Sequence, residues 1–182
     1  MPEIKPKRLE ENRVYTCRIF EVYEGKIQLP DGRVADQSWI THKPVIAAVP
    51  VTSEGRLLLI RQYRSAVEQM LLEIPAGTVD KGPETIEECV QRELAEEIGF
   101  QARTLVKLFE GYLVPGYCNE YMHYYLAMDL FAAALPPDVD EVIELVPVSF
   151  PEAMEMMKEG RIVDSKTALG ITLAWEYLKN RS

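Results

Sequence analysis

Long apolar runs are missing from this 182-residue chain, and none approaches the ~18 residues that a membrane-spanning helix needs. The first twelve residues set Lys5, Lys7 and Arg8 among Glu3, Glu10 and Glu11 with no apolar core, so no secretion signal is expected there. Cysteine is scarce. Cys17, Cys89 and Cys118 share no metal-type spacing, and an odd number argues against a disulfide framework, which favours a reducing cytoplasm. Positive charge is short as well, with 20 Lys and Arg against 29 Asp and Glu and a net charge of −9. That balance disfavours nucleic acid and anionic membranes as partners. It also means that an anionic substrate would need local arginines and metal ions. What is present, 47% apolar and 27% charged residues, is the composition of a globular protein of one domain, or one domain with a small appendage.

The most informative stretch begins Ile74-Pro75-Ala76-Gly77-Thr78-Val79-Asp80-Lys81-Gly82-Pro83-Glu84. It reads as a glycine-punctuated loop leading into a helix, with Pro83 suited to the first turn and Gly99 to the end. Ile86, Val90, Leu94 and Ile98 recur every fourth residue, which gives an amphipathic helix of about four turns. Glu93, Glu96 and Glu97 stand at i, i+3 and i+4, so they share one side and overlap an edge of the apolar stripe. Carboxylates crowded beside a buried face repel and raise each other's pKa. Arg92 supplies one compensating charge, and a divalent metal would supply two. A solvated acidic face is the plainer reading. Against it stands the company: a loop glycine, Arg-Glu, Glu-Glu and a terminal Gly-Phe at fixed offsets.

This constellation resembles the Nudix box, Gly-x5-Glu-x7-Arg-Glu-U-x-Glu-Glu-x-Gly-U, where U is a large apolar residue. From Glu84 to Phe100 the match is complete. Six residues rather than five separate Gly77 from Glu84, so the loop is one residue longer and Glu84 takes the place of the family's structural glutamate. Four further stretches resemble the ADP-ribose pyrophosphatase branch of the family. They are Arg61-Gln62-Tyr63-Arg64, Glu73-Ile74-Pro75-Ala76-Gly77, Pro115-Gly116-Tyr117-Cys118-Asn119-Glu120, and Arg161-Ile162-Val163-Asp164-Ser165-Lys166-Thr167. The resemblance implies an α/β fold, a Nudix-type α/β/α sandwich with a mixed sheet, plus a small N-terminal antiparallel β-sheet. Residues 1–43 would be the appendage, making dimer and substrate contacts, and residues 44–182 the hydrolase domain. The implied reaction is Mg²⁺-dependent hydrolysis of ADP-ribose to AMP and ribose 5-phosphate by a cytoplasmic homodimer, with Mn²⁺ as the alternative metal.

The same resemblance assigns roles. Glu93, Glu96, Glu97 and the Ala76 carbonyl would ligate the metal, with Arg92 orienting the glutamates. Arg64, with Arg61 beside it, would hold the phosphate or terminal ribose, because a planar guanidinium binds phosphate oxygens bidentately; a solvated strand end is the alternative. Glu73 would border the substrate, and Pro115 and Glu120 would belong to the adenine-side loop. Trp39 would stack on adenine, with simple packing as the competing reading. Residues 132–142 read as an acidic, proline-bearing loop, on which related enzymes carry a general base. Glu141 is the best match, flanked by Asp140 and Glu144. Two other functions stay open: a pyrophosphatase of other nucleoside diphosphate sugars, and a non-catalytic ADP-ribose sensor on a degenerate box.

Around the box the pattern predicts strands over 14–23, 26–29 and 33–41, with turns at Glu24-Gly25 and Pro30-Asp31-Gly32. Core strands are expected over 45–52, 56–60, 105–114, 121–130 and 143–148, and His123 reads as a packed or edge residue. Ser149 would cap a helix over 151–159. A last helix over 165–179 would turn Leu169, Leu173 and Leu178 inward.

Overall fold

In the computed structural model, residues 5–136 and 142–181 are described, and they form ten strands and three helices. The chain divides into two compact units. One comprises Met1–Pro44 with Tyr112–Tyr121, the other Val45–Gly111 with Met122–Ser182.

The first unit is an antiparallel sheet of β1 (Lys7–Thr16), β2 (Phe20–Gln28) and β3 (Val34–His42), in that order. The turn expected at Glu24-Gly25 lies instead within β2, and the chain reverses at residues 17–19, where the Cys17 amide donates to the Phe20 carbonyl at 3.0 Å. A side chain at Gly25 would overlap the Glu10 carbonyl, beside a register shift between Arg8 and Glu10. That glycine serves the close approach of two strands at an irregularity rather than a turn. The segment Tyr112–Tyr121 is bound to β3: the Ile40 amide donates to the Tyr117 carbonyl at 2.7 Å, and the His42 amide to Oδ1 of Asn119 at 2.7 Å.

The second unit contains β4 (Val45–Pro50), β5 (Arg56–Arg64), β6 (Gln69–Glu73), β7 (Ala76–Thr78), α1 (Ile86–Glu97), β8 (Phe100–Tyr112), β9 (Tyr121–Ala132), β10 (Ile143–Ser149), α2 (Phe150–Lys158) and α3 (Ser165–Lys179). Its strands form two sheets: a mixed one ordered β7-β4-β9-β8 and an antiparallel one ordered β10-β5-β6. In the mixed sheet β4 runs parallel to β9 and antiparallel to β7. Both α1 and α3 pack on β4, and all six of its residues are buried. Cover on both sides is what makes a strand read as a continuous apolar run. The core joins Ile46, Ala48, Leu58 and Ile60 to Val90, Leu94 and Ile98 of the α1 stripe, and each large aliphatic side chain buried there contributes about 1.5–3 kcal/mol.

Three local details differ from the sequence pattern. The loop before the helix contains β7, paired with β4. Helix α1 starts later than Pro83 suggests, because Thr85 and Glu88 close a reciprocal capping box that fixes Thr85 as its N-cap. In α3 the buried residues are Thr167, Gly170, Ile171 and Ala174; Leu173 and Leu178 are half-buried, and Leu169 is exposed. Ile74 and Val49 lie so close over Gly170 that the side bearing this glycine, and not Leu169, meets the sheet.

Candidate active site

Helix α1 and strand β7 bring the acidic residues of the box together. A side chain at Gly77 would overlap the carboxylate of Glu93, so the glycine leaves the space this carboxylate fills. One turn further on, Oε2 of Glu97 accepts the Ala76 amide at 3.1 Å, and Glu97 is buried. Arg92 sits among the remaining acids. Its Nε and Nη2 bind Glu84 at 3.0 and 2.9 Å, and its Nη1 reaches Glu93 at 2.6 Å and Glu96 at 2.9 Å. From the longer loop, Nζ of Lys81 binds Glu96 at 3.0 Å. Glu84 therefore stands where the spacing from Arg92 placed it, despite the extra residue. The hydrogen bond from Arg92 holds the Glu84 carboxyl below its ordinary range.

Charge is not balanced here: Glu84, Glu93 and Glu96 share Arg92 and Lys81, and Glu97 is buried one turn on against the Ala76 amide. Burial pushes the Glu93 carboxyl up to about 7 against the pull of Arg92. Among the described residues no three His, Cys, Asp or Glu side chains form a ready metal cage, and Glu93 and Glu96 are paired with Arg92 and Lys81. The donor set nevertheless fits a hard divalent ion: oxygen ligands only, an excess of negative charge, and carboxylates side by side on one rigid helix. Cys89, beneath Arg92, is pushed up to about 12 by burial and is a poor nucleophile.

A second cluster surrounds Glu73, whose side chain is 1% exposed. Nε and Nη2 of Arg64 bind its two oxygens at 2.8 and 2.7 Å. Lys166 binds the same carboxylate and also Asp164, at 2.8 Å. Burial works to raise the Glu73 carboxyl, but the hydrogen bond from Arg64 and the charge of Lys166 outweigh it and hold it below the ordinary range. Oγ1 of Thr167 donates to Asp164 at 2.6 Å and accepts the Ile74 amide at 2.9 Å, so the start of α3 is fastened to the loop after β6.

In the first unit a cleft of about 410 Å³ is lined by Arg8, Trp39, Ile40, Pro115 and Tyr117, among others. Trp39 stacks with Tyr23, ring centres 5.9 Å apart and planes 5° from parallel, and the Arg8 guanidinium lies 4.2 Å from its ring centre. Trp39 and Pro115, assigned separately in the sequence, thus line one cavity. Glu120 is half-buried in the same unit, and its carbonyl accepts the Leu113 amide at 3.2 Å.

The model of the NUDIX domain matches residues 41–167. The chain belongs to the Nudix family. It is 30% identical to an ADP-ribose pyrophosphatase of Bacillus subtilis, over 94% of this chain and 93% of that protein. It is 40% identical to a GDP-mannose pyrophosphatase of Yersinia enterocolitica, over 63% of this chain and 64% of that protein. A solved structure described as an ADP compounds hydrolase superposes with a TM-score of 0.89 at 27% identity, covering 98% of this chain and 96% of that one. As a Nudix hydrolase the chain is an enzyme with a mixed α/β fold.

Set against this Nudix framework, the structure gathers Ala76, Arg92, Glu93, Glu96 and Glu97 in one place and Arg64 with Glu73 in another. Arg61 joins neither. It faces Glu144 across the β5–β10 ladder at 3.3 Å, with both side chains exposed. Glu141 and Asp140 lie outside the described residues. His123 is largely buried and pairs with Glu110 at 2.9 Å. Lys81, Asp164 and Lys166 have places in the two clusters that the sequence did not reveal. The Asp164-Ser165-Lys166-Thr167 junction was visible as a motif, but nothing in its spacing pointed to Glu73. Among the described residues no helix is long and apolar enough to cross a membrane.

Proposed function

We propose that the chain hydrolyses the diphosphate of ADP-ribose, adding water across one P–O bond to give AMP and ribose 5-phosphate. The observation that carries this reading is the meeting of α1 with β7, where Glu97 takes the Ala76 amide and Glu93 fills the space above Gly77. Glu93, Glu96, Glu97 and the Ala76 carbonyl would hold Mg²⁺, or Mn²⁺ in its place. A divalent ion bound there supplies neutralisation of phosphate charge, the main demand of phosphoryl chemistry. Arg92 keeps Glu93 and Glu96 on one side of α1. Arg64 holds the substrate through a guanidinium whose plane is fixed by Glu73. Trp39 and Pro115 form the adenine side, where stacking on a base is worth ~1–3 kcal/mol. Glu141, by its place in the sequence, takes the proton from the attacking water.

The exposed apolar residues Leu9, Val14, Tyr15 and Val34 of the β1–β3 sheet support a homodimer through the appendage of residues 1–43. Three free cysteines are in keeping with a cytoplasmic location. A second substrate class, GDP-linked sugars, is favoured by the 40% identity to a GDP-mannose pyrophosphatase. The deciding experiment is a turnover screen with and without Mg²⁺ over ADP-ribose, a GDP-sugar and a dinucleotide, with products identified by mass. AMP release from ADP-ribose is expected. Binding with no metal-dependent release would point to a sensor instead. Glu141→Gln should bind ADP-ribose normally and turn over ~10²–10⁴-fold more slowly. A full-rate variant would move the base elsewhere.

A further inference from the structure

We infer that Lys166 is a positioning residue for the anionic substrate. It neutralises the carboxylates beneath Arg64, so that the guanidinium presents an uncancelled positive edge to a diphosphate or phosphate oxygen. This rests on the proposed role of Arg64 in holding the substrate.

Glu73 and Asp164 supply two carboxylates, and Arg64 and Lys166 two cations, so the quartet is neutral in itself, with Glu97 of the box also acting on the charge of Arg64. Its members differ in access. The side chains of Glu73 and Lys166 are 1% and 13% exposed, whereas Arg64 is 38% exposed. Arg64 commits Nε and Nη2 to Glu73, and Nη1 takes no part in that pair. Arg64 is therefore the cation of this cluster that a ligand can reach, and Lys166 acts only through its neighbours.

A purely structural role for Lys166 is already filled by others. Asp164 caps α3 by accepting the Thr167 amide at 3.0 Å, and Thr167 anchors the Ile74 amide. What Lys166 alone adds is a second positive charge against two buried or half-buried acids. Without it the cluster carries one negative charge beneath the anion-binding guanidinium. In partly buried surroundings a charge several ångströms from a ligand anion changes affinity by roughly tenfold.

The test uses the full chain, with kcat and KM for ADP-ribose measured beside calorimetric binding of the same compound. Lys166→Met should raise KM and Kd roughly tenfold at low ionic strength and leave kcat within about twofold, and the gap should narrow in high salt. Adding Asp164→Asn restores neutrality and keeps a good N-cap, so the double variant should recover most of the affinity. A tether lost for structural reasons would not be rescued by removing charge. Asp164→Asn alone leaves the quartet one charge positive and should bind ADP-ribose more tightly than the parent. This variant decides the matter even if Lys166→Met fails to fold. An unchanged KM in Lys166→Met, no recovery in the double variant, or no gain in Asp164→Asn would each overturn the inference. Arg64→Lys separates the two levels: parental affinity in that variant removes Arg64 from the site and this inference with it. A parent that binds ADP-ribose without hydrolysing it overturns only the hydrolase reading.

Discussion

Glu73 and Glu93 are both largely buried, at 1% and 12% side-chain exposure, but the Glu93 carboxyl is pushed up to about 7 while Glu73 is held low. Desolvation raises both. The difference lies in the ratio of cations to carboxylates nearby. Glu73 is paired directly with both Arg64 and Lys166, although Glu97 also acts on the charge of Arg64, whereas Glu93 shares Arg92 with Glu84 and Glu96 and has only Lys81 besides. One cluster has its charge closed and can offer a cation outward. The other is left short of positive charge, which a metal would supply.

That contrast can be broken in order of expected effect. Glu97→Gln should lower Mg²⁺-dependent turnover by ~10³-fold, since charge stabilisation by a metal is worth several kcal/mol. Near-normal rates at saturating Mg²⁺ would remove Glu97 from the metal set. Glu73→Leu leaves Arg64 without its anion and Lys166 with Asp164 alone, and should lower unfolding stability in urea by about 3–5 kcal/mol. Glu96→Gln relieves crowding among like charges and should leave the metal-free protein no less stable than the parent. If the two variants behave alike, the clusters do not differ as described.

The pH dependence of stability should carry opposite signs in the two places. The folded pKa of Glu93 lies above its unfolded value, so its contribution is present below the ordinary carboxylate range and lost as pH rises towards about 7. The folded pKa of Glu73 lies below its unfolded value, so its contribution is present at neutral pH and lost in acid. Metal-free unfolding curves should show Glu93→Gln flattening the slope between about pH 4 and 7 by on the order of 2 kcal/mol. Glu73→Gln should act only on the acid side. The smallest effect is expected in the first unit. Trp39→Ala should raise KM for ADP-ribose about tenfold, the value of one stacked base, with kcat little changed. An unchanged KM would return Trp39 to packing against Tyr23.

The box could be read from sequence because its parts are local. Glu93, Glu96 and Glu97 are fixed to one side by helical spacing, and Arg92 adjoins them. The bounds of α3, whose caps prove to be Asp164 and Asn180, were equally plain from the helical pattern over 165–179. Its inward face was not. Leu169 was expected to point inward, but the fit of Gly170 under Ile74 sets the most buried side, and packing of that kind leaves no periodic mark. Gly25 misled for a related reason, since close strand approach and a turn both select glycine. The pairing of Glu73 with Lys166 spans 93 residues, beyond any pattern that spacing can carry.

That separation bears on how the protein is made. The Ile74 amide and the Glu73 carboxylate find their partners on α3, 93 residues further along the chain. While the chain is being synthesised, the box helix can cap itself and bury its stripe before α3 exists, but the substrate-side carboxylate has no lysine to meet. The acidic half of the site therefore needs nothing from α3, and the half that holds Arg64 in place cannot be completed until α3 has been made.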